Sequence, residues 1–228
     1  MSKHFSFPRW TNRFALLALA GALTGGAYLG AVVFAATAPE TLNVGHEPKQ
    51  PIPFSHKIHA GQLKLDCRYC HNTVDKAAHA AIPPSATCAN CHSGADAKGN
   101  VPFSSVRAES PALAVLRQSV ATQDYIPWKR VHDLPDYVYF DHSAHVNRGV
   151  GCVSCHDRVD RMDVVRQAKT LSMTFCLDCH RNPEPHLRPL DKVTDLGWVP
   201  ETSAVEVGKQ IKEALGIKPT TNCSTCHR

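Results

Sequence analysis

Five short motifs of the form Cys-x-x-Cys-His contain all ten cysteines of this 228-residue chain. Each motif brings together two thiols and an imidazole: Cys67, Cys70 and His71; Cys88, Cys91 and His92; Cys152, Cys155 and His156; Cys176, Cys179 and His180; Cys223, Cys226 and His227. This spacing is the attachment signature of c-type haem, in which both thiols form thioethers to the porphyrin edge. The adjacent histidine lies under the ring, where its imidazole can bind iron. The motifs therefore predict five covalently bound haem c groups.

Zinc and disulfide chemistry account less well for these motifs. A structural zinc site takes four ligands from two cysteine pairs, so five pairs would leave one pair without a partner. Disulfides suit an exported protein with an even number of cysteines. Neither kind of chemistry explains why a histidine follows every pair. We therefore prefer the haem interpretation.

The first forty residues predict a membrane anchor. The stretch 14–38 has no charged residue, and the residues before it carry only positive charge, at Lys3, Arg9 and Arg13. About 25 apolar or small residues can cross a bilayer core of roughly 30 Å. A cleaved signal peptide is the alternative, but its apolar region is usually only about 7 to 15 residues long. The basic flank predicts a single pass through the bacterial cytoplasmic membrane, with a cytoplasmic N-terminus and the haem domain on the periplasmic side.

The charge balance gives no support to nucleic-acid binding. The formal net charge is +5, and this value includes the three basic residues that precede the apolar stretch. Five haems would add roughly ten propionates, which can reverse the remaining positive charge on part of the exported surface. We therefore expect no nucleic-acid partner.

The exported part is too short to enclose five macrocycles in an ordinary layered core. It has roughly 38 residues per haem, so the haems must supply much of the buried apolar material. The chain has 16 prolines and little helical or alternating periodicity. We predict a multihaem cytochrome c fold, mostly irregular with short α-helices and a haem-dominated core, plus one N-terminal transmembrane helix. Clearer helices are predicted at 110–118, with Ser110 as cap and Pro111 in the first turn, and at 205–215.

An internal repeat organises the exported part. The first copy begins Phe54-Ser-His56-Lys-Ile-His59, and Cys67 follows eight residues later. The second begins Phe140-Asp-His142-Ser-Ala-His145, and Cys152 follows seven residues later. Two haem modules related by duplication are expected. The predicted domains are the cytoplasmic N-terminus and anchor at 1–38, a linker at 39–53, a first module at 54–93 with haems 1 and 2, a connecting segment at 94–139, and a second module at 140–228 with haems 3 to 5.

The two Phe-x-His-x-x-His units predict the second axial ligands of four irons. Histidines three residues apart on one helical turn can point to neighbouring irons. We assign these distal ligands in chain order: His56 to the first haem, His59 to the second, His142 to the third and His145 to the fourth.

The distal ligand of the fifth haem is left open. Met173 precedes Cys176 by three residues and is the leading candidate. A methionine ligand would raise the reduction potential above that of a bis-histidine haem, and would mark a place where electrons collect. Buried methionine is also ordinary packing. The competitors are Met162, His79, His132 and His186, and a ligand role for His79 would displace one of the four assignments above. His46, His132 and His186 are otherwise expected to be polar surface or hydrogen-bonded residues.

The paired histidines resemble those of the small class III cytochromes of the c7 and c3 type, in which such pairs ligate two different haems. In those proteins a ligand just before one attachment site serves the next haem, which is the position of Met173 relative to the haem at Cys223. A wider pattern consists of the N-terminal apolar stretch and three segments: Trp128-Lys-Arg-Val-His132-Asp-Leu-Pro-Asp-Tyr-Val-Tyr-Phe140, Arg148-Gly-Val-Gly-Cys152 and Cys176-Leu-Asp-Cys-His180-Arg-Asn-Pro. Over most of its length the chain is similar to the pentahaem subunit of alternative complex III, a bacterial quinol oxidoreductase.

The resemblance implies an electron-transfer subunit that performs no bond-making chemistry of its own. Within a quinol:electron-acceptor oxidoreductase it would pass electrons from quinol oxidation to a periplasmic acceptor. The implied partners are an iron-sulfur subunit, integral quinol-binding membrane subunits, and a monohaem cytochrome c, copper protein or oxidase as the acceptor.

Two other functions are alternatives. A membrane-anchored multihaem quinol dehydrogenase that feeds a periplasmic reductase also has one helix and several haems, but it usually has a methionine shortly after an attachment motif. Here the residues that follow are Asn72-Thr73, Ser93-Gly94 and Asp157-Arg158. A multihaem reductase needs an iron with an open position, often with lysine in place of the motif histidine. All five motifs keep histidine.

Overall fold

The computed structural model describes residues 7–94 and 105–227, and the chain divides into two compact units, 1–42 and 43–228. The first unit contains helix α1, Trp10–Thr37, and a 3-10 turn at Pro39–Leu42. Its apolar side chains are exposed along the helix. The 28 residues of α1 have a length of roughly 42 Å, which exceeds a bilayer core of roughly 30 Å.

Helix α1 is the one helix of the described residues that is long and apolar enough to cross a membrane, with a mean hydropathy of 1.8 over Arg13–Thr37. A helix of this kind near the N-terminus fits both a membrane anchor and a signal sequence.

The second unit consists of short helices separated by irregular chain. The helices are α2 Cys67–Cys70, α3 Ser85–His92, α4 Ala114–Thr122, α5 His142–Val146, α6 Val153–His156, α7 Met173–Arg181, α8 Ala204–Ala214 and α9 Cys223–Cys226. A π-helical turn lies at Lys57–Gln62, and 3-10 turns lie at Pro111–Leu113, Val159–Arg161, Glu184–His186 and Leu190–Lys192. Within residues 7–94 and 105–227 there is no β-strand, and extended pairing is limited to two isolated bridges, Val138–His227 and Val150–Leu187. The predicted architecture of short helices and irregular chain is confirmed.

The two helices predicted from local patterns are present with shifted bounds. Pro111 opens a 3-10 turn that continues into α4, and the helical chain ends at Thr122 because Gln123 is left-handed, with φ of 61°. The predicted cap was wrong, since the Ser110 side chain makes no capping hydrogen bond. Helix α8 lies within one residue of the predicted bounds, and its Gly208 packs directly on the carbonyl of Glu184.

In the described part of the chain, two small clusters of buried apolar side chains occur, and each adjoins an attachment motif. The first cluster joins the linker to the connecting segment and packs on Cys88; its members are Ile52, Leu116 and Ile126. The second joins the two repeat copies and packs on Cys152; its members are Val74, Val146 and Val193. The protein core therefore lies against the sites where the cofactor would be attached.

The two copies of the internal repeat have the same contacts between the phenylalanine and the second histidine. Phe54 stacks on His59 with ring centres 4.3 Å apart, and Phe140 packs on His145 with ring centres 4.5 Å apart. Both of these histidines donate Nδ1–H to the carbonyl four residues earlier, over 2.8 and 2.7 Å. The backbones differ, because the first copy forms a π-helical turn and the second forms α5, which the Asp141 side chain caps.

Candidate haem-attachment sites

All five motifs lie on or directly beside a helical turn. Residues three apart on a helix share a face, so the two thiols of each motif point to the same side. None of the ten cysteines forms a disulfide. Burial, followed by the nearby Cys179, raises the pKa of the Cys155 thiol to about 12.

Four motif histidines have their Nδ1 atom committed to a backbone carbonyl. The donors and acceptors are His71 to Ala81 at 2.8 Å, His92 to Val106 at 2.7 Å, His180 to Thr220 at 2.6 Å and His227 to Tyr137 at 3.3 Å. Because Nδ1 holds the proton, Nε2 keeps its lone pair available to a metal. This is the tautomer that an axial iron ligand requires.

The motif histidine of the third site has a different partner. Nδ1 of His156 lies 3.2 Å from Nε2 of His132, and the two rings are nearly perpendicular. Burial, followed by the nearby His132, lowers the pKa of His156 to about 3. Burial also lowers the pKa of His132. Both imidazoles are therefore neutral at physiological pH, as a histidine that binds a metal must be.

His132 is held in place by neighbouring contacts along its own segment. Arg130 donates from Nε to the His132 carbonyl over 3.2 Å and forms an ion pair with Asp133. The Asp133 amide donates to Oε1 of Gln167 over 3.1 Å, and Gln167 is fully buried. The position of His132 is thus supported by local contacts of Arg130 and by one tertiary contact, from the following residue to the buried Gln167.

Each predicted distal histidine of the first four sites faces the motif histidine of the haem to which we assigned it. The ring-centre distances are 6.5 Å for His56–His71, 6.1 Å for His59–His92, 6.3 Å for His142–His156 and 6.1 Å for His145–His180. Two imidazoles on opposite sides of one metal, with metal–nitrogen bonds of about 2 Å, have ring centres roughly 6 Å apart. The four pairs therefore have the spacing that a bis-histidine iron requires.

The four pairs differ in the angle between their imidazole planes. The planes are nearly parallel in the first and third pairs, at 3° and 12°. They are crossed in the second and fourth pairs, at 66° and 44°. Corresponding sites of the two repeat copies therefore share the same kind of ligand geometry.

The distal histidines also have defined tautomers, with one exception. His142 donates Nδ1–H to the Ala78 carbonyl over 2.8 Å, and His59 and His145 make the carbonyl bonds described above. In His56 the Nδ1 atom is buried and has no hydrogen-bond partner. Burial, followed by the nearby His71, lowers the pKa of His56 to about 4, so its imidazole is neutral and able to ligate.

The fifth site has no such pair among the described residues. The ring neighbour of His227 is Tyr137, at 5.7 Å between ring centres. Met173 is the first residue of α7 and is 67% exposed. His180 of α7 donates Nδ1–H to the carbonyl of Thr220, which precedes Cys223 by three residues, so α7, which carries Met173, lies beside the fifth site.

The other candidates for the fifth iron have different surroundings. Met162 is buried, and His79 is exposed. His186 is hydrogen-bonded through Nδ1 to the Ser154 hydroxyl over 3.2 Å. The fifth ligand stays a prediction, with Met173 as the leading candidate.

Sequence reasoning did not find the partners of the axial histidines. Four of the motif histidines donate to main-chain carbonyls, which every residue has, so no side-chain pattern indicates which carbonyl is used. The sequence predicts His132 as a competing ligand or as a polar surface or hydrogen-bonded residue, but it does not indicate the hydrogen-bond partner. No local spacing connects it with His156, which lies 24 positions further along the chain.

Comparison with known proteins is consistent with this geometry. The family model described as cytochrome c7 and related cytochrome c matches residues 52–112 and 138–228. The multiheme cytochrome c subunit of menaquinone reductase from Nitratidesulfovibrio vulgaris is 31% identical over 163 residues, which cover 62% of this chain and 71% of that protein. The part of the chain that matches the family model includes all five motifs.

Proposed function

Since the chain belongs to the family of cytochrome c7 and related cytochromes c, we propose that it is the membrane-anchored pentahaem electron-transfer subunit of a quinol:electron-acceptor oxidoreductase of the alternative complex III type. The observation that carries this proposal is the set of four histidine pairs with ring centres 6.1 to 6.5 Å apart. Such pairs leave no iron position open at those sites, which favours electron transfer over substrate binding.

The chain's own residues would hold and tune the cofactors. The ten motif cysteines would form the thioethers, and the five motif histidines would be the proximal ligands. The distal ligands would be His56, His59, His142, His145 and, at the fifth site, Met173. Haem iron supplies one-electron transfer when bound. The carbonyls that accept Nδ1–H would keep the imidazoles they contact in the ligating tautomer and increase the basicity of those imidazoles.

The distribution of apolar side chains supports a core completed by haem. Large apolar residues beside the first two motifs are exposed in the chain alone; they are Leu63, Tyr69 and Ile82, at 62%, 48% and 60%. Exposed apolar surface of this kind marks a binding region. Covalently attached macrocycles at Cys67–Cys70 and Cys88–Cys91 would cover such surface.

The first unit supports a membrane location. Helix α1 as an anchor would keep the second unit on the periplasmic side, where c-type haems are attached. In the proposed complex the chain would contact an iron-sulfur subunit and integral quinol-binding subunits, and would deliver electrons to a monohaem cytochrome c or another periplasmic acceptor.

The menaquinone reductase relative favours a second candidate function, in which electrons pass through the same haems in the opposite direction. Electrons from a periplasmic donor would then pass through this subunit to a membrane-bound quinone. The two candidates share the haems and the anchor and differ only in the net direction of electron transfer.

Purification of the full chain from membranes in mild detergent tests the proposal. We expect five haems per polypeptide in a pyridine haemochrome assay and comigration with an iron-sulfur protein. The complex should reduce a soluble cytochrome c with a quinol as donor. If instead it reduces a quinone with a reduced cytochrome and shows no quinol oxidation, the second candidate is correct. Quinol oxidation by this subunit alone would contradict both candidates.

The variant His56→Gly in the same complex links the activity to the site. It should decrease electron transfer because the first iron loses its distal ligand. His46→Gln is the matched control, since His46 is an exposed histidine outside the candidate sites.

A further inference from the structure

We propose that the five attachment sites lie in space in the order second, first, third, fourth, fifth, so that the second and fifth sites are the two ends and the first and third sites meet in the middle. This inference rests on the proposed function, because it gives the order of sites that are taken to carry haem. It differs from the order along the chain, in which the first site would be an end and the second would lie inside.

Shared helical turns join the sites within each repeat copy. His56 and His59 lie on one turn and face His71 and His92, which belong to the first and second sites. The first and second sites are therefore neighbours. In the second copy, helix α5 carries both His142 and His145, which face the third and fourth motif histidines. The third and fourth sites are neighbours for the same reason.

Direct contacts join the first site to the third. The Cys67 thiol lies 3.8 Å from the Thr194 carbonyl, and the Cys152 amide donates to the preceding carbonyl, that of Val193, over 3.1 Å. A cysteine of the first motif and a cysteine of the third motif therefore contact the carbonyl groups of two consecutive residues.

A second contact between the same two regions is made by the backbone. Gly61, at the end of the turn that carries His56 and His59, lies so close to the Asp160 carbonyl that a Cβ atom would overlap it. Asp160 follows the third motif by four residues. The first and third sites are therefore joined on two sides.

The fourth and fifth sites are joined through the chain that precedes α9. His180 of the fourth motif donates Nδ1–H to the Thr220 carbonyl over 2.6 Å, and Thr220 precedes Cys223 by three residues. The fourth site is thus the neighbour of the fifth.

Solvent exposure of the cysteines agrees with this order. Of the ten motif cysteines, Cys91 and Cys223 are exposed, and the other eight are partly buried. These two belong to the second and fifth sites, which the proposal makes the ends. Partner proteins can approach the ends, whereas an electron that enters at one end and leaves at the other must cross the junction between the first and third sites.

Paramagnetic NMR of the haem methyl groups during a redox titration of the full-length holoprotein tests the order. The reduction of one haem shifts the potential of each neighbour through Coulomb interaction, which falls with distance. We expect the interaction between the first and third haems to exceed that between the second and third by about twofold. A stronger interaction between the second and third haems would overturn the proposed order.

The variant His59→Met assigns the signals of the second haem, because the change of axial ligand should shift the methyl resonances of that haem most. If this variant does not fold, anomalous scattering at the iron edge from crystals of the unmodified holoprotein provides the order directly. The first and third irons should then be adjacent, and the second iron should have one close neighbour. A haem count below five in the haemochrome assay would contradict the proposed function. The NMR and anomalous-scattering results test the spatial order of the haems independently of that count.

Discussion

His132 holds its Nε2 atom 3.2 Å from Nδ1 of His156, so the motif histidine of the third site is paired with a side chain, whereas the other four motif histidines are paired with backbone carbonyls. When Nε2 of His156 binds iron, its Nδ1 carries the proton and His132 is the acceptor. A substitution can remove this acceptor, which is not possible for a carbonyl. The third site is therefore the one at which a single side chain controls the basicity of a proximal ligand.

The variant His132→Phe should raise the reduction potential of one haem. Loss of the acceptor makes His156 a weaker base, which disfavours ferric iron. A hydrogen bond of about 0.5 to 1.5 kcal/mol corresponds to a shift of roughly 20 to 60 mV for one electron. Spectroelectrochemical titration of the holoprotein measures the shift. His132→Gln retains an acceptor and should shift the potential less, and His46→Gln should leave it unchanged. Identical titrations for His132→Phe and the unmodified protein would rule out this role.

Removal of a distal histidine should convert one haem from low spin to high spin. The substitutions His56→Gly, His59→Gly, His142→Gly and His145→Gly each leave one iron with an open position, because the facing ring is lost. Ferric EPR and optical spectra should show one high-spin haem per chain in each variant and none in His46→Gln. A variant that stays fully low spin, with all haems attached, would show that its histidine is not a ligand.

Substitution of Met173 tests the fifth ligand separately. We expect Met173→Ala to abolish a methionine–iron charge-transfer band and Met162→Ala to leave it intact. His79→Gln is a third variant in this comparison. Among the histidines that compete for the fifth iron, His132 and His186 have side-chain hydrogen-bond partners, whereas His79 is exposed. Loss of low-spin character at one haem in His79→Gln, with no change in Met173→Ala, would move the assignment to His79.

The angles between imidazole planes predict two classes of low-spin ferric EPR signal. The nearly parallel pairs of the first and third sites should give ordinary rhombic spectra. The crossed pair of the second site, at 66°, and the pair of the fourth, at 44°, should give more anisotropic spectra with a larger maximal g value. A spectrum of the oxidised holoprotein at low temperature measures both classes. The His59→Gly variant should remove one signal of the anisotropic class and none of the rhombic class.

The variant Gly61→Ala should destabilise the junction of the two repeat copies. Its Cβ would overlap the backbone carbonyl of Asp160, and overpacking of this kind costs about 1 to 3 kcal/mol. Gly197→Ala is the matched control, because its Cβ would lie 3.5 Å from the Arg158 guanidinium, an ordinary contact. Denaturant unfolding of both variants measures the difference. Equal stability of the two variants would argue against a close contact at Gly61.

The pair Arg158–Asp160 should make part of the stability acid-sensitive. The Arg158 guanidinium donates two hydrogen bonds, at 2.8 and 2.6 Å, and lowers the pKa of the Asp160 carboxyl below its ordinary value of 3.8. A carboxyl whose folded-state pKa is depressed stabilises the fold above its unfolded pKa, and this stabilisation is lost as the pH falls through the folded value.

Asp160→Asn should therefore be less stable than the unmodified protein at neutral pH, and the difference should decrease below about pH 4. Thermal unfolding between neutral pH and pH 3 measures this dependence. Asp191→Asn is the control, because Asp191 lies in an exposed ion pair with Lys192. A difference that stays constant with pH would assign the effect of Asp160→Asn to packing.

Much of the site could be predicted because its parts are local in sequence. A Cys-x-x-Cys-His motif places its three groups within one helical turn, and His56 and His59 occupy one turn as well. The apolar length of α1 is equally local. The helix at 110–118 was found for the same reason, although its Ser110 cap was not formed.

By itself, the sequence determined which residues can bind haem and which pairs of histidines share a turn, because those relations span only a few residues. The tertiary structure decided that His132 supports His156 and that Cys67 and Cys152 contact the carbonyls of two consecutive residues. Those contacts join positions 24 to 127 residues apart, as in His132–His156 and Cys67–Thr194. Closing such loops has an entropic cost that only the whole packed fold offsets, so no local pattern could indicate them.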